Sequence, residues 1–304
     1  MNIEINCNIE LAEILLYLAD RQERTAQVLD NTFYTSKINK YFAKYKSHAA
    51  VIMTQKLIDQ QNFIHIKPIR AILSLDNILA DNTHHLHEWA NIVSDFAKQT
   101  NYDVFFDSMQ DYYRMILDKI KGINIEKCIS YTRNYFKSNN DNFCLFICPF
   151  AGNYGFVLDD ICYVVRCLPY DEDGNINPVY TNRLIGGIAH EYAHCFVNPV
   201  IEKYKNNLVD YKDFFSAHKS MYSAYNVDYA VMNEYFARTY TMRYRDLFKN
   251  DFPDYDEYLK AANVANNPFV FCNEFYEFLL KYEKSSLSFE EFYLKNSHII
   301  GGLK

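Results

Sequence analysis

Apolar residues recur at helical spacing along most of the first 140 positions. They form one face from Leu11 to Leu18 and a second amphipathic run from Tyr41 to Leu57. From about residue 82 to 137 the pattern is again helical, and we expect breaks near Asn101 and at Gly122. The histidines of HHLHEW (84–89) do not have the spacing of a three-histidine zinc site, and this stretch predicts a solvated helix start.

The pattern changes at about Asn139, where NFCLFICPF and FVLDDICYVV form apolar runs separated by AGNYG. They predict strands joined by a β-hairpin or by a longer connection. Helices are expected at 181–197, about 226–248, about 255–265 and in the tail, EFYEFLLKYE and FEEFYLKN. We therefore predict an α+β, mostly helical fold with a small antiparallel sheet. Residues 1–140 would form a mainly helical region packed on a second region, 141–304.

Composition and charge narrow the function classes. The chain has 304 residues, 49% of them apolar and 23% charged, as in ordinary globular proteins. A net charge of -7 without a basic run argues against a nucleic-acid partner. The N-terminus does not resemble a signal peptide and no segment predicts a membrane span, so we expect a cytoplasmic protein. The eight cysteines form no CxxC pair, which favours reduced thiols, and the oligomeric state stays open.

The stretch GGIAHEYAHCFVNP, residues 186–199, carries the candidate chemistry. On a helix, His190 and His194 lie one turn apart on the same face and can bind one metal ion. Glu191 lies about 100° further round, where it can reach a metal-bound water as a general base. The alternative is a pair of packed core histidines.

Residues flanking the two histidines support a helix at a close contact. Gly186 and Gly187 weaken a helix, which predicts close approach by another segment. Thr181 or Asn182 can cap its start, and we expect Asn198 and Pro199 to end it. The Asn198 amide can support the site or cap this end.

A catalytic zinc site needs a third protein ligand. A third histidine six residues after His194 is excluded, because that position is Val200. The helix containing NEYFAR supplies Glu234, flanked by the small residues Ala230 and Ala237, and Arg238 one turn on can orient the carboxylate or bind substrate. The alternative ligands are Glu202, Asp210 and Asp228.

HEYAH followed by NEYFAR resembles the gluzincin group of zinc metallopeptidases, and the extended pattern with FVNP resembles an uncharacterised bacterial family within that group. The resemblance covers residues 186 to about 241. It implies a zincin-like catalytic half, one zinc ion bound by His190, His194 and Glu234, and Glu191 as the base. Arg238 stands where well-known gluzincins often have aspartate, a departure that affects the surroundings of the ligands and the substrate.

The same resemblance implies that a strand beside the active helix pairs with an extended peptide. The candidate is the segment from Phe150 to Leu158, in which Asn153 and Tyr154 are candidate substrate contacts, and a structural hairpin is the alternative. His218 and Tyr222 are candidate donors to the oxyanion of the transition state.

Three function classes follow. The first is a zinc metallopeptidase acting on a peptide or protein substrate. The others are a zinc hydrolase of a non-peptide substrate or a metal-binding protein without turnover, and a metal-free helical interaction protein.

Overall fold

The computed structural model describes residues 2–19, 32–59, 84–149, 153–168, 181–211, 228–251 and 269–301. The fold is α+β and mostly helical, with one small four-stranded sheet, as predicted. Seven helices precede the last three strands of the sheet in the described chain. They are α1 (Cys7–Leu18), α2 (Thr32–Phe42), α3 (Ala49–Asp59), α4 (His84–Thr100), α5 (Tyr102–Ser108), α6 (Gln110–Ile120) and α7 (Ile125–Tyr135).

The helices after the sheet include the two that carry the candidate ligands. They are α8 (Thr181–Lys203), α9 (Asp228–Leu247), α10 (Cys272–Glu283), α11 (Phe289–Asn296) and α12 (His298–Gly301). The breaks expected near Asn101 and Gly122 are confirmed, since α5 starts after the first and α6 ends just before the second. The helix expected at about 255–265 lies outside the described residues.

The sheet is mixed, so the prediction of an antiparallel sheet is wrong. Its strands are β1 (Asn2–Glu4), β2 (Phe143–Cys148), β3 (Asn153–Leu158) and β4 (Ile161–Cys167), in the order β1-β2-β4-β3. β2 is parallel to both β1 and β4, and β3 alone is antiparallel to its neighbour. β3 pairs with β4 and not with β2, so β2 and β3 do not form a hairpin, and the last three residues of AGNYG, Asn153 to Gly155, belong to β3 itself.

The hairpin lies one element later, between β3 and β4. Asp159 and Asp160 have φ of 49° and 59°, which suits a two-residue type I′ turn. Leu158 pairs with Ile161 across this turn, which fixes the register back to Asn153 opposite Arg166.

Two apolar cores cover the two faces of the sheet. Leu145, Ile147 and Val164 belong to the α8-side core, which also contains residues of α7 and α9 to α12. Phe146 and Val165 face the other way, into the α1-side core built with α1 to α6. All six residues of β2 are buried because this strand is covered on both faces. The division of the chain at about residue 140 stays a prediction.

Helix α8 continues past the expected stop and ends at Lys203, with Pro199 inside its last turns. The prediction that Asn198 and Pro199 end the helix is therefore wrong. Proline removes one backbone hydrogen bond and costs about 3 kcal/mol in a helix interior. Here Val200 and Ile201, directly beyond Pro199, are buried and hold the last turn against the core.

Helix α8 and the sheet meet in a close backbone contact at Gly155 of β3. A Cβ added at Gly155 would overlap the backbone carbonyl of Glu191. Cys195, one turn on, donates from Sγ to the carbonyl oxygen of Phe156 at 3.4 Å. The glycine thus allows helix and strand to meet backbone to backbone.

Two acidic side chains lie in the α1-side core. Glu10 and Glu13 of α1 are 1% and 2% exposed. Cys148 donates to Glu10 Oε2 at 3.4 Å, and Tyr154 donates to Glu13 Oε1 at 3.0 Å. Burial raises the pKa of Glu10 to about 8, against the smaller lowering effect of hydrogen bonds from Tyr34 and Cys148.

All eight cysteines are free thiols, and seven of them are buried. Among the helices of the described residues, none is both long enough and apolar enough to cross a membrane.

Replacing Gly155 with Ala should destabilise the protein by about 3 kcal/mol, because the obstacle is backbone and α8 must move. Gly122→Ala is the control, since a Cβ there meets no atom within 4 Å and should change the free energy of unfolding by less than about 0.5 kcal/mol. Urea unfolding measures both. Equal effects of the two substitutions would contradict the backbone contact.

The raised pKa of Glu10 makes folding stability depend on pH. Between pH 4.5 and about 8 the unfolded chain releases this proton while the folded chain keeps it, so stability falls as pH rises through this range. Glu10→Gln cannot ionise, and its stability relative to the parent should rise by about 4 kcal/mol from pH 5 to pH 9. Urea unfolding at both pH values tests this, and a pH-independent difference would contradict it.

Candidate functional site

The two histidines of α8 face one point. The Nε2 atoms of His190 and His194 lie 3.3 Å apart, and the rings are nearly perpendicular, at 87°. Both residues are half-buried and lie near Glu234 of α9. The helical spacing of the motif therefore brings the two rings together, as predicted from the sequence.

Each imidazole is held through its other nitrogen. Asn198 Oδ1 lies 3.0 Å from His194 Nδ1, and Thr241 Oγ1 lies 3.3 Å from His190 Nδ1. Thr241 donates its own proton to the carbonyl of Ala237 at 2.7 Å, so its oxygen can accept from the ring. With Nδ1 protonated in both rings, each Nε2 presents a lone pair to the shared point.

The contact of Thr241 with His190 was not predicted from the sequence. The signal was its position seven residues after Glu234, which places it on the same face of α9. Asn198, for which the sequence left open a role in supporting the site or in capping the helix end, contacts the ring of His194.

Glu234 approaches the same point from α9. Its Oε1 lies 3.6 Å from His190 Nε2 and its Oε2 lies 3.5 Å from His194 Nε2. Arg238, one turn on, donates from Nη2 to Oε1 at 2.7 Å. The carboxylate is buried, and Ala237 beside it is fully buried, as close packing between α8 and α9 requires.

The spacing of these three donors suits a tetrahedral ion. Atoms bound to zinc at about 2.0 to 2.1 Å in a tetrahedron lie about 3.3 Å apart. In the structure the two Nε2 atoms lie 3.3 Å apart, and each lies near a different oxygen of Glu234: His190 Nε2 is 3.6 Å from Oε1 and His194 Nε2 is 3.5 Å from Oε2. The residues present therefore fit a metal ion with little rearrangement.

Glu191 completes a cluster with His190 and His194 that could hold a metal ion, with one ligand atom of each within 4.8 Å of the others. Its Oε1 lies 3.5 Å from Nη1 of Arg166, a residue of β4. Glu234 has a matching distance to both histidines, so it is the better third ligand on geometry. Glu191, directed toward Arg166, is placed beside the ligands.

Burial and charge shift the pKa values of the cluster in different directions. Burial lowers the pKa of His190 to about 3. Burial also opposes protonation of His194, but the hydrogen bond and charge of Glu234 raise its pKa overall. For Glu234 itself, burial acts to raise the pKa, and His190 and Arg238 together hold it well below its usual range. This leaves an ionised carboxylate facing two imidazoles, a donor set that suits a divalent cation.

The pKa of Glu191 is raised by burial, and the charges of His194 and Arg166 offset part of that effect. The carboxyl is thus more basic than an exposed glutamate, as a general base requires.

The other predicted site residues are less closely connected with the histidines. Tyr154 bonds to Glu13 in the α1-side core, so it lies on the opposite face of the sheet from α8. Asn153 alternates with it and shares the α8 face with Gly155, opposite Arg166 in the ladder. His218 and Tyr222 lie outside the described residues.

Of the alternative third ligands, Glu202 is exposed near the end of α8. The side chains of Asp210 and Asp228 are outside the description. Sequence reasoning missed Arg166, for which the signal was a single charge in the apolar strand ICYVVRC.

No protein-family model, no curated protein and no solved structure matches this chain. Function therefore has to be argued from the His190–Glu191–His194 cluster, which could bind a metal ion, and from the groups around it.

Proposed function

We propose that the protein is a zinc-dependent metallopeptidase of gluzincin type, with one zinc ion per chain. The observation that carries the proposal is the Glu234 carboxylate facing both imidazoles, with one oxygen 3.6 Å from His190 Nε2 and the other 3.5 Å from His194 Nε2, while the two Nε2 atoms lie 3.3 Å apart. Two imidazoles and one carboxylate are a frequent ligand set of catalytic zinc, and they leave one position open. Asn198 and Thr241 hold the rings, as carbonyl and hydroxyl groups do around zinc-binding histidines.

Zinc in this site would supply Lewis acidity, which polarises a substrate carbonyl and makes a water molecule acidic near neutral pH. Glu191 would accept the proton of the attacking water and deliver it to the leaving amine. Its burial keeps the carboxyl basic, and its place one residue after His190 keeps it beside the reacting groups. Arg238 would hold Glu234 in the orientation needed for binding.

A peptide is the proposed substrate because of the strand beside α8. β3 lies at one edge of the four described strands, and its Gly155 lies against the backbone carbonyl of Glu191. A peptide added along β3 would bring its carbonyl groups near this residue. The alternatives are a zinc hydrolase with a non-peptide substrate and a metal-binding protein without turnover.

Metal content tests the ligand set. Elemental analysis of the purified parent should find about one zinc per chain, and Glu234→Ala should lose most of it because a third of the protein ligands is removed. Glu202→Ala is the matched control. Because Glu202 is exposed, this variant should bind as much zinc as the parent. Full retention in Glu234→Ala would exclude this ligand. A parent without zinc, even after its addition, would contradict the whole proposal.

Turnover tests the base. On a peptide library, Glu191→Gln should keep the zinc of the parent and lose hydrolysis by a factor of about 10² to 10⁴, because the amide cannot accept the proton. Undiminished hydrolysis in this variant would refute the mechanism. A parent that binds zinc and cleaves no peptide would favour one of the two alternatives.

A further inference from the structure

Arg166 is a buried arginine next to the proposed base. Its side chain is 15% exposed and lies between β4 and α8. The polar contact that the structure gives it is the ion pair with Glu191, with 3.5 Å between Nη1 and Oε1. In the described part of the chain its Nε is buried without a hydrogen-bond partner. A guanidinium group is costly to bury, so its retention beside a single carboxylate needs a reason.

The neighbouring helix has a gap that fits this guanidinium group. A Cβ added at Gly187 would overlap Nη2 and Cζ of Arg166 and come within 2.9 Å of Nε. Gly187 lies one turn before Glu191, on the same side of α8. The guanidinium group of Arg166 thus lies against helix backbone that carries no side chain, and we call this contact at Gly187 the seat of Arg166. The Glu191 carboxylate is the next group along that face of α8.

This seat restricts both partners of the ion pair. Arg166 is fixed at its Cα by the ladder with Asn153 and at its head by the backbone at Gly187. Glu191 has three rotatable side-chain bonds, and a fixed positive charge selects among their conformations. The Arg166 contact is directed along the helix, toward Gly187, whereas the two histidine rings face α9.

We propose that Arg166, seated against Gly187, is the positioning residue for Glu191: it holds the carboxylate beside the metal ligands without itself touching substrate. The consequence for turnover rests on the proposed function. The seat and the ion pair are features of the folded chain and can be tested without any substrate.

Stability tests the seat. Gly187→Ala should lower the Tm of the parent by about 5 °C, because the added methyl group displaces a buried head group. In an Arg166→Ala background the same change should leave the Tm unchanged or raise it by about 2 °C, because alanine is the better helix former once the space is empty. Gly122→Ala, with open space around its Cβ, should have the same small effect in both backgrounds. Equal losses from Gly187→Ala in both backgrounds would overturn the seat.

A second comparison tests the ion pair. Arg166→Met and Glu191→Gln should each lower the Tm, and the double variant should lose less than the sum of the two, since each single change leaves a buried partner unpaired. Strictly additive losses would overturn the proposal.

Metal and kinetics then separate positioning from structural support. Arg166→Met should keep the parent's zinc, lower kcat by about 10- to 100-fold and leave KM within about threefold, because a misplaced base affects the chemical step. Arg166→Lys should recover part of kcat. Arg243→Met is the matched control: it removes the half-buried pair of Arg243 with Glu283, 2.7 Å from Nε to Oε1, and should keep kcat. Parent-like kcat in Arg166→Met would overturn the proposal.

The two levels of failure are distinguishable. If the parent hydrolyses nothing, the proposed function fails, and the two stability comparisons still decide whether Arg166 fixes Glu191. If the parent is active and both comparisons fail, the proposed function stands and the positioning role is excluded.

Discussion

Helix α8 meets strand β3 backbone to backbone at Gly155, and this contact governs the geometry of the candidate site. Gly155 of β3 lies against the carbonyl of Glu191, and Gly187 of α8 lies against the head of Arg166. One glycine is on the strand and the other on the helix. Each leaves room for a group of the other element: the Glu191 carbonyl at Gly155 and the Arg166 guanidinium group at Gly187. The distance between helix and sheet is thereby set within the same turns of α8 that carry Glu191 and the two histidines.

The charges around the histidines form two acid–arginine pairs on different elements. Arg238 stacks over the ring of Phe269 at 4.3 Å and binds Glu234 within α9, while Arg166 reaches Glu191 from β4. Buried carboxylates without such partners would take up protons, since desolvation disfavours the charged form. The two pairs differ in length: Arg238 Nη2 lies 2.7 Å from Glu234 Oε1, whereas Arg166 Nη1 lies 3.5 Å from Glu191 Oε1. His190 and the tighter pair with Arg238 keep the Glu234 carboxylate anionic, and the looser pair leaves the Glu191 carboxyl with a raised pKa.

Features that depend on residues close in sequence could be predicted, and those that depend on contacts between distant residues could not. The i,i+4 spacing of His190 and His194 and the α+β class follow from local periodicity. The sequence favoured Glu234 as the third candidate ligand but left other acids open, because only the packing of α9 on α8 brings its carboxylate to the two histidines. The prediction at Pro199 failed because local propensity opposes the helix there, whereas burial of Val200 and Ile201 supports it. The order of the strands could not be predicted either, because β2 pairs with β4 and the whole of β3 lies between them in the sequence.

Strand alternation explains why neighbouring residues of one hairpin serve opposite faces. Tyr154 and Val165 pair on the α1 side, where Tyr154 bonds to Glu13, and Asn153 and Arg166 pair on the α8 side, where Arg166 reaches Glu191. A shift of one residue in β4 would exchange the faces and put a guanidinium group into the α1-side core. The register is set at the far end of the hairpin, by the turn at Asp159 and Asp160, both in the left-handed region. The position of the proposed base is thus tied to a turn on the surface: the turn fixes the register of the ladder, the register fixes the face on which Arg166 lies, and Arg166 pairs with Glu191.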